Sequence, residues 1–206
     1  MEPPKGNSPP ALAALMRHLV ALSEPEGASS GLTPAQWSAL RFFASANRFS
    51  RTVSAFAAYN VTSRGTASQT IKALERHGYL RRETVTADKR SAYIDLTEAG
   101  RAKLAEDPAE VLAKAIAALP EEARQGLNDS LDELVAQVAG AAGKDRFGTC
   151  PDCTYLETCP NENGEGNCYY CRLTGEQVPA EELTALCAAF RDEPEADPGP
   201  ANPRRD

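Results

Sequence analysis

A chain of 206 residues with 42% hydrophobic residues can form one large domain, or an ordinary domain with a small one attached, around a real core. Its start, MEPPKGNSPP, is polar and proline-rich, and Arg17 and His18 interrupt the first apolar stretch, which argues against a signal peptide or a membrane span and points to the cytoplasm. The net charge of −7 argues against a general nucleic-acid binder, but the bases Arg64, Lys72, Arg76, Arg81, Arg82, Lys89 and Arg90 gather in one stretch, where only the field at a docking surface counts.

Residues 1–8 read as a flexible arm. Pro9 and Pro10 can open a helix that runs through Leu12, Leu15, Met16, Leu19, Val20 and Leu22 at three- to four-residue spacing. SEPEGASSG ends it as a loop. A second helix begins at Thr33-Pro34, a threonine cap followed by proline at the first helical position, with Trp37, Leu40, Phe42 and Phe43 as core candidates.

Two short helices follow. The first, from about Thr52 to Tyr59, buries Val53, Phe56 and Ala57, and Asn60-Val61-Thr62 makes a turn. With Ser63 as cap, the second runs from Arg64 to His77. It points Ala67, Ile71 and Leu74 inward, leaves Thr66, Ser68, Gln69 and Lys72 outward, and ends at Gly78. YLRRETV and SAYIDL then read as two strands joined by the hairpin tip TADKR. This order predicts a winged helix-turn-helix.

Thr97-Glu98-Ala99-Gly100 starts a helix expected to run to about Ala118. After Pro120 a further amphipathic helix carries Leu127, Leu131, Leu134 and Val138 on one stripe. Such outlying helices have little core of their own and suit packing against a second subunit.

In LTPAQWSALRFFA, TSRGTASQTIKALERHGYLRRE and DKRSAYIDLTEAGR the chain resembles the MarR family of bacterial transcriptional regulators, over roughly Leu12 to Ala139. The wing and exit carry the family pattern at Asp88, Arg90, Leu96, Thr97 and Gly100. The resemblance implies a triangular homodimer with interwoven first and last helices, both wings reaching DNA. It also implies control at a palindromic operator, often relieved by a small-molecule effector or by cysteine oxidation. The chain departs from the family beyond about Gly140, where it adds some 65 residues.

On this reading Thr66, Ser68, Gln69 and Lys72 meet the major groove of double-stranded DNA, where glutamine reads adenine edges and hydroxyls serve bases or phosphates. Arg64 at the helix start contacts phosphate. Lys89 and Arg90 fit a wing at the minor groove, with Asp88 orienting Arg90. Arg76, Arg81 and Arg82 are weaker candidates, and His77 is a capping or packing residue.

All six cysteines lie between residues 150 and 187. Clustered cysteines in a cytoplasmic protein point to metal. Cys150-x2-Cys153 and Cys168-x2-Cys171 could close a tetrahedral zinc site. The triplet Cys150, Cys153, Cys159 has a spacing that resembles the auxiliary four-iron clusters of SPASM-type domains, with Cys168 or Cys171 available as a fourth thiolate. A [4Fe-4S] cluster is the leading expectation, because an iron–sulfur centre can report redox state, oxygen or iron supply; zinc is the alternative, and reactive thiols or disulfides are the third reading. Cys187, in EELTALCAAF beside Leu183, Leu186 and Phe190, reads as a packing thiol.

The expected architecture is therefore mainly α with a small β wing. Residues 9–142 form a winged helix-turn-helix flanked by dimerisation helices, 143–192 a small cysteine-rich C-terminal module that binds metal, and 193–206 a disordered tail. The expected function is a homodimeric, sequence-specific transcriptional regulator that senses redox state, oxygen or iron. The alternatives are a zinc-stabilised regulator with a separate effector pocket, or a metal-stabilised protein-interaction module. No catalytic constellation is present, so an enzyme is not expected.

Overall fold

The structure, a computed structural model, describes residues 8–23, 31–84, 92–160 and 167–192. The N-terminal arm, the 24–30 loop, the wing tip with Asp88, Lys89 and Arg90, the loop at 161–166 and the tail beyond Asp192 lie outside these residues. Among the described residues no helix is long and apolar enough to cross a membrane.

The helices fall where their caps and apolar periods place them. α1 spans Pro9–Ser23. α2, Pro34–Ser45, opens on a capping box in which Thr33 and Gln36 satisfy each other's backbone N–H, as the four free donors of a helix start require. α3 is Val53–Tyr59 with Thr52 as cap, and α4 is Arg64–Arg76 with Ser63 as cap. Between α3 and α4, Val61 takes a left-handed φ of 49°, uncommon for a β-branched residue. The bends on both sides are held by Val61 N–H donating to the Ala58 carbonyl and Thr62 N–H to that of Ala57.

Strands β1 (Leu80–Thr84) and β2 (Ala92–Leu96) pair antiparallel, with Leu80 opposite Leu96. The core lies between α2, α3, α4 and this wing: Trp37, Leu40, Phe42, Phe43, Phe56, Ile71, Leu74, Ile94 and Leu96 are all essentially inaccessible to solvent. α4 turns into the wing at Gly78, whose φ of +75° suits glycine. The wing's exit is locked to that turn. Thr97 Oγ1 donates to the Gly78 carbonyl and accepts from Gly100 N–H, while Thr97 N–H donates to the Tyr79 carbonyl.

The helix expected from Glu98 to about Ala118 is two helices, α5 (Glu98–Leu104) and α6 (Glu110–Ala117). Pro108 is the cause: it has no N–H and pushes the residue before it out of helical conformation. Asp107 occupies the break, accepting from Ala109 N–H and forming a two-point ion pair with Arg41 of α2 at 2.7 Å on each arm. α6 contacts α1, and α7 runs from Glu121 to Ala142.

The C-terminal part is not a separate module. A three-stranded sheet, β3 (Leu156–Pro160), β4 (Asn167–Cys171) and β5 (Glu176–Gln177), forms an antiparallel meander. The chain then returns to the winged helix. The segment 181–190, expected to be amphipathic, begins in a short 3-10 turn (Ala180–Glu182) and then continues without helix; Leu186 bridges Ala46 in parallel and Cys187 bridges Gly148 antiparallel. Phe190, 1% exposed, lies under Gly148, and the Arg146 guanidinium stands 4.9 Å over its ring while pairing with Asp132 of α7 and with Asp192.

Two substitutions test this packing. A Cβ on Gly100 would collide with the Tyr79 carbonyl, so Gly100→Ala should cost about 1–3 kcal/mol in denaturant unfolding. Burial opposes ionisation of Asp107, but the hydrogen bonds from Arg41 and Ala109 and the Arg41 charge together hold its carboxyl below the ordinary range. Its contribution is therefore full above that range and is lost as pH falls through the depressed folded value. Asp107→Asn should flatten the acid limb of the stability–pH curve while changing the neutral-pH limb by a constant amount.

Candidate nucleic-acid interface and thiol pocket

On α4 the buried residues Ala67, Ile71 and Leu74 leave the opposite face to solvent. Arg64, Thr66, Gln69 and Lys72 are exposed there, and Ser68 is half-buried. Thr66 is steadied by the cap, its Oγ1 standing 2.9 Å from Ser63 Oγ. Gln69, Lys72, Glu75 and Arg76 line one shallow open groove. The helix thus brings together the expected α4 residues, while Asp88, Lys89 and Arg90 lie outside the described residues.

The weaker basic candidates are engaged within the fold. Arg82 pairs with Glu75 at 2.6 Å, and Arg81 with Glu83 at 2.8 Å. Asp95 on β2 gathers Arg51 at 3.1 Å with Arg81 and Arg101 at 3.5 Å each. These pairs shape the wing's base and leave Lys72 and Arg64 as the clearer cations on the exposed face of α4. His77 caps α4 and stacks on Tyr79, as expected.

The second constellation is sulfur. Cys150, Cys153, Cys171 and Cys187 are free thiols, and all four line one enclosed, apolar pocket with Asn47, Phe49, Tyr155 and Val178. Burial first, then the neighbouring Cys187, Cys153 and Cys171, push the Cys150 thiol up to about 11, so near neutral pH it is protonated. Among the described residues no group of three or more His, Cys, Asp or Glu side chains is arranged to hold a metal ion.

The expected ligand set is regrouped by the fold. Cys150 and Cys153 flank a short 3-10 turn, and Cys171 ends β4. The backbone register sets Cys159 opposite Cys168, and Cys168 is disulfide-bonded. Strand alternation explains the separation: Cys168 and Cys171 are three residues apart, so they project to opposite faces of β4. Cys168 instead lines a separate surface depression with Arg48 and Gln177. Cys187, read from sequence as packing, takes the vacated place in the thiol set. Its only sequence signal was being a cysteine, since the bridge to Gly148 that positions it joins residues 39 apart.

The comparisons agree with this geometry. Residues 30–91 match the family model described as MarR family. A MarR-family transcriptional regulator from Silicibacter pomeroyi is 23% identical with a TM-score of 0.52, covering 65% of this chain and 91% of that one. The S. aureus MepR–DNA complex is 16% identical with a TM-score of 0.50, covering 66% and 99%. The described winged helix, from α2 to β2, is similar in fold to these structures. No curated protein matches the chain. Beyond the MarR-type segment, the family model does not reach the cysteines.

Phe190 is the hinge pin of the thiol region's attachment. Phe190→Ala should cost about 3–5 kcal/mol, and limited proteolysis should then cut within 143–192 well before the winged helix. Equal protection of the two regions would contradict the docking described here.

Proposed function

We propose that the chain is a sequence-specific transcriptional regulator that binds double-stranded operator DNA as a homodimer and is not an enzyme. The observation that carries this reading is α4: a helix anchored by Ala67, Ile71 and Leu74 that offers Arg64, Thr66, Gln69 and Lys72 from a MarR-type winged helix. The polar side chains suit base edges and the cations suit phosphates. Support for a dimer comes from α1 and α7, which expose Leu12, Leu15, Leu19, Val20, Leu22, Leu134, Val135 and Val138. An apolar surface of that extent on two helices is what a second subunit covers. Two symmetric recognition helices imply a palindromic site. The reading places the protein in the cytoplasm, with its DNA.

The sensing element we propose is a [4Fe-4S] cluster in the thiol pocket. An all-sulfur donor set in an apolar enclosure is the chemistry such clusters take. Zinc, whose four sulfurs would surround one ion at about 2.3 Å, is the alternative for the same donor set. Cluster integrity would then report oxygen or iron supply. A second reading, zinc in the tail with a separate effector site, is favoured by the apolar cleft that Met16, Tyr59, Val61, Leu131 and Val135 line between α1, α3 and α7.

Selection from random duplexes should yield a palindromic site bound by two chains. Against it, Lys72→Ala should weaken binding across sequences and lower the salt slope by about 1, while Gln69→Ala should cost about 1–3 kcal/mol at one base position. Anaerobic protein should be brown, with about four irons and four sulfides per chain. Colourless protein with one zinc would favour the second reading.

A further inference from the structure

The thiol pocket and the helix-turn-helix share a wall. Asn47 sits in the corner between α2 and α3, is wholly inaccessible to solvent, and lines the pocket beside Cys150, Cys153, Cys171 and Cys187. Its Oδ1 accepts from Ser50 N–H at 3.0 Å, but its Nδ2 has no hydrogen-bond partner. A buried amide donor left unmatched costs free energy, and here it borders a chamber lined by four cysteines, with Tyr155 and Thr174 as its other polar side chains. Sulfide or thiolate sulfur is the acceptor such a donor lacks, and hydrogen bonds to sulfur are a recognised control on cluster properties.

Cys187 is tied to the same corner from the other side. Leu186 N–H donates to the Ser45 carbonyl at 2.8 Å, and Asn47 N–H donates to the Leu186 carbonyl at 2.9 Å. Ala188 N–H donates to Ser50 Oγ at 2.8 Å, with Ser50 itself 1% exposed. Cys187 therefore sits mid-way along a strap laced to residues 45–50. From that corner the chain leads directly to α3. It also leads to the wing, because Ile94 N–H donates to the Arg51 carbonyl and Arg51 pairs with Asp95.

We propose that Cys187, with Cys150, Cys153 and Cys171, ligates the iron–sulfur centre, and that the 186–188 strap and Asn47 pass its presence to the α2–α3 corner and so to the DNA-reading elements. This rests on the cluster reading above and adds the ligand set and the route. With the centre bound, the strap is fixed at both ends of the corner. With it lost, Cys187 is released, Asn47 Nδ2 is again unmatched, and the corner that sets α3 and the wing loosens. Coupling then runs through the winged helix itself, without needing the dimer helices.

The test uses the full chain, purified anaerobically and reconstituted with iron and sulfide. Cys187→Ser should lose the brown absorption and most of its iron, whereas Cys168→Ser should keep both. Apo wild-type protein and Cys187→Ser should bind the selected duplex more weakly than the holo form by about tenfold or more, within the usual range of allosteric coupling. Ser50→Ala removes the strap's side-chain anchor without touching a ligand, and should keep its iron while the holo–apo difference in affinity shrinks. Asn47→Asp keeps the acceptor for Ser50 and deletes the donor; it should retain iron and lower the reduction potential of the centre. A Cys187→Ser variant with a full complement of iron, or equal DNA affinity of holo and apo wild-type protein, overturns the proposal while leaving the cluster itself standing. Wild-type protein that takes up no iron and sulfide, or takes zinc alone, overturns both.

Discussion

The buried corner between α2 and α3 is the constraint on which the rest of the structure depends. Within residues 45–51 the chain stops one helix, turns and starts the next with Ala46, Asn47 and Ser50 buried, so the backbone groups of that stretch need partners from elsewhere in the protein. Asn47 supplies one from its own side chain, to Ser50. Arg51 reaches back to the Ala46 carbonyl and out to Asp95. The remaining partners come from the far end of the chain, through Leu186 and Ala188. The C-terminal segment thus does for this corner what water would do on an exposed one.

That dependence explains why the tail is integral rather than appended. Phe147 extends the aromatic core, meeting Tyr59 at 5.3 Å and Phe42 at 6.2 Å, both edge-on, while Phe190 is buried against Gly148. Arg146 ties α7 to the last described residues through Asp132 and Asp192. Arg48, from the short turn after α2, pairs with Glu176 of β5 and Glu182. The ion pairs are exposed in part and contribute little singly. The apolar packing of Phe190 and the backbone hydrogen bonds at Leu186 carry the attachment.

The reading face and the thiol pocket make opposite demands. α4 presents solvent-facing polar side chains on a base anchored by Ile71 and Leu74 in the core. The pocket needs enclosure, and Tyr155, Val178 and Phe49 provide it. A single corner serving as base for one and wall for the other links them without any long relay. What distinguishes this arrangement from a bare MarR-type winged helix is that the wall is built partly from residues some 140 positions downstream.

Much of this was legible in the sequence, because local physics sets it. Thr33, Thr52, Ser63 and Thr97 announce helix starts by offering a side-chain oxygen, Gly78 ends α4, and the three- to four-residue apolar period places Trp37, Leu40, Ile71 and Leu74 inside. The exposed face of α4 follows from the same period. The break at Pro108 between α5 and α6 departs from the single helix that periodicity suggested, which passed over the proline. The grouping of the cysteines was decided only by tertiary structure. Spacing along the chain paired Cys168 with Cys171, but a strand sends residues three apart to opposite faces. Spacing also could not bring Cys187 to Cys150, since that proximity comes from hydrogen bonds to Gly148 and to the α2–α3 corner. The sequence by itself determined the elements and the reading face, whose causes lie within a few residues. Only the folded chain decided the thiol set and its link to the α2–α3 corner, because those depend on contacts between segments that share no local signal.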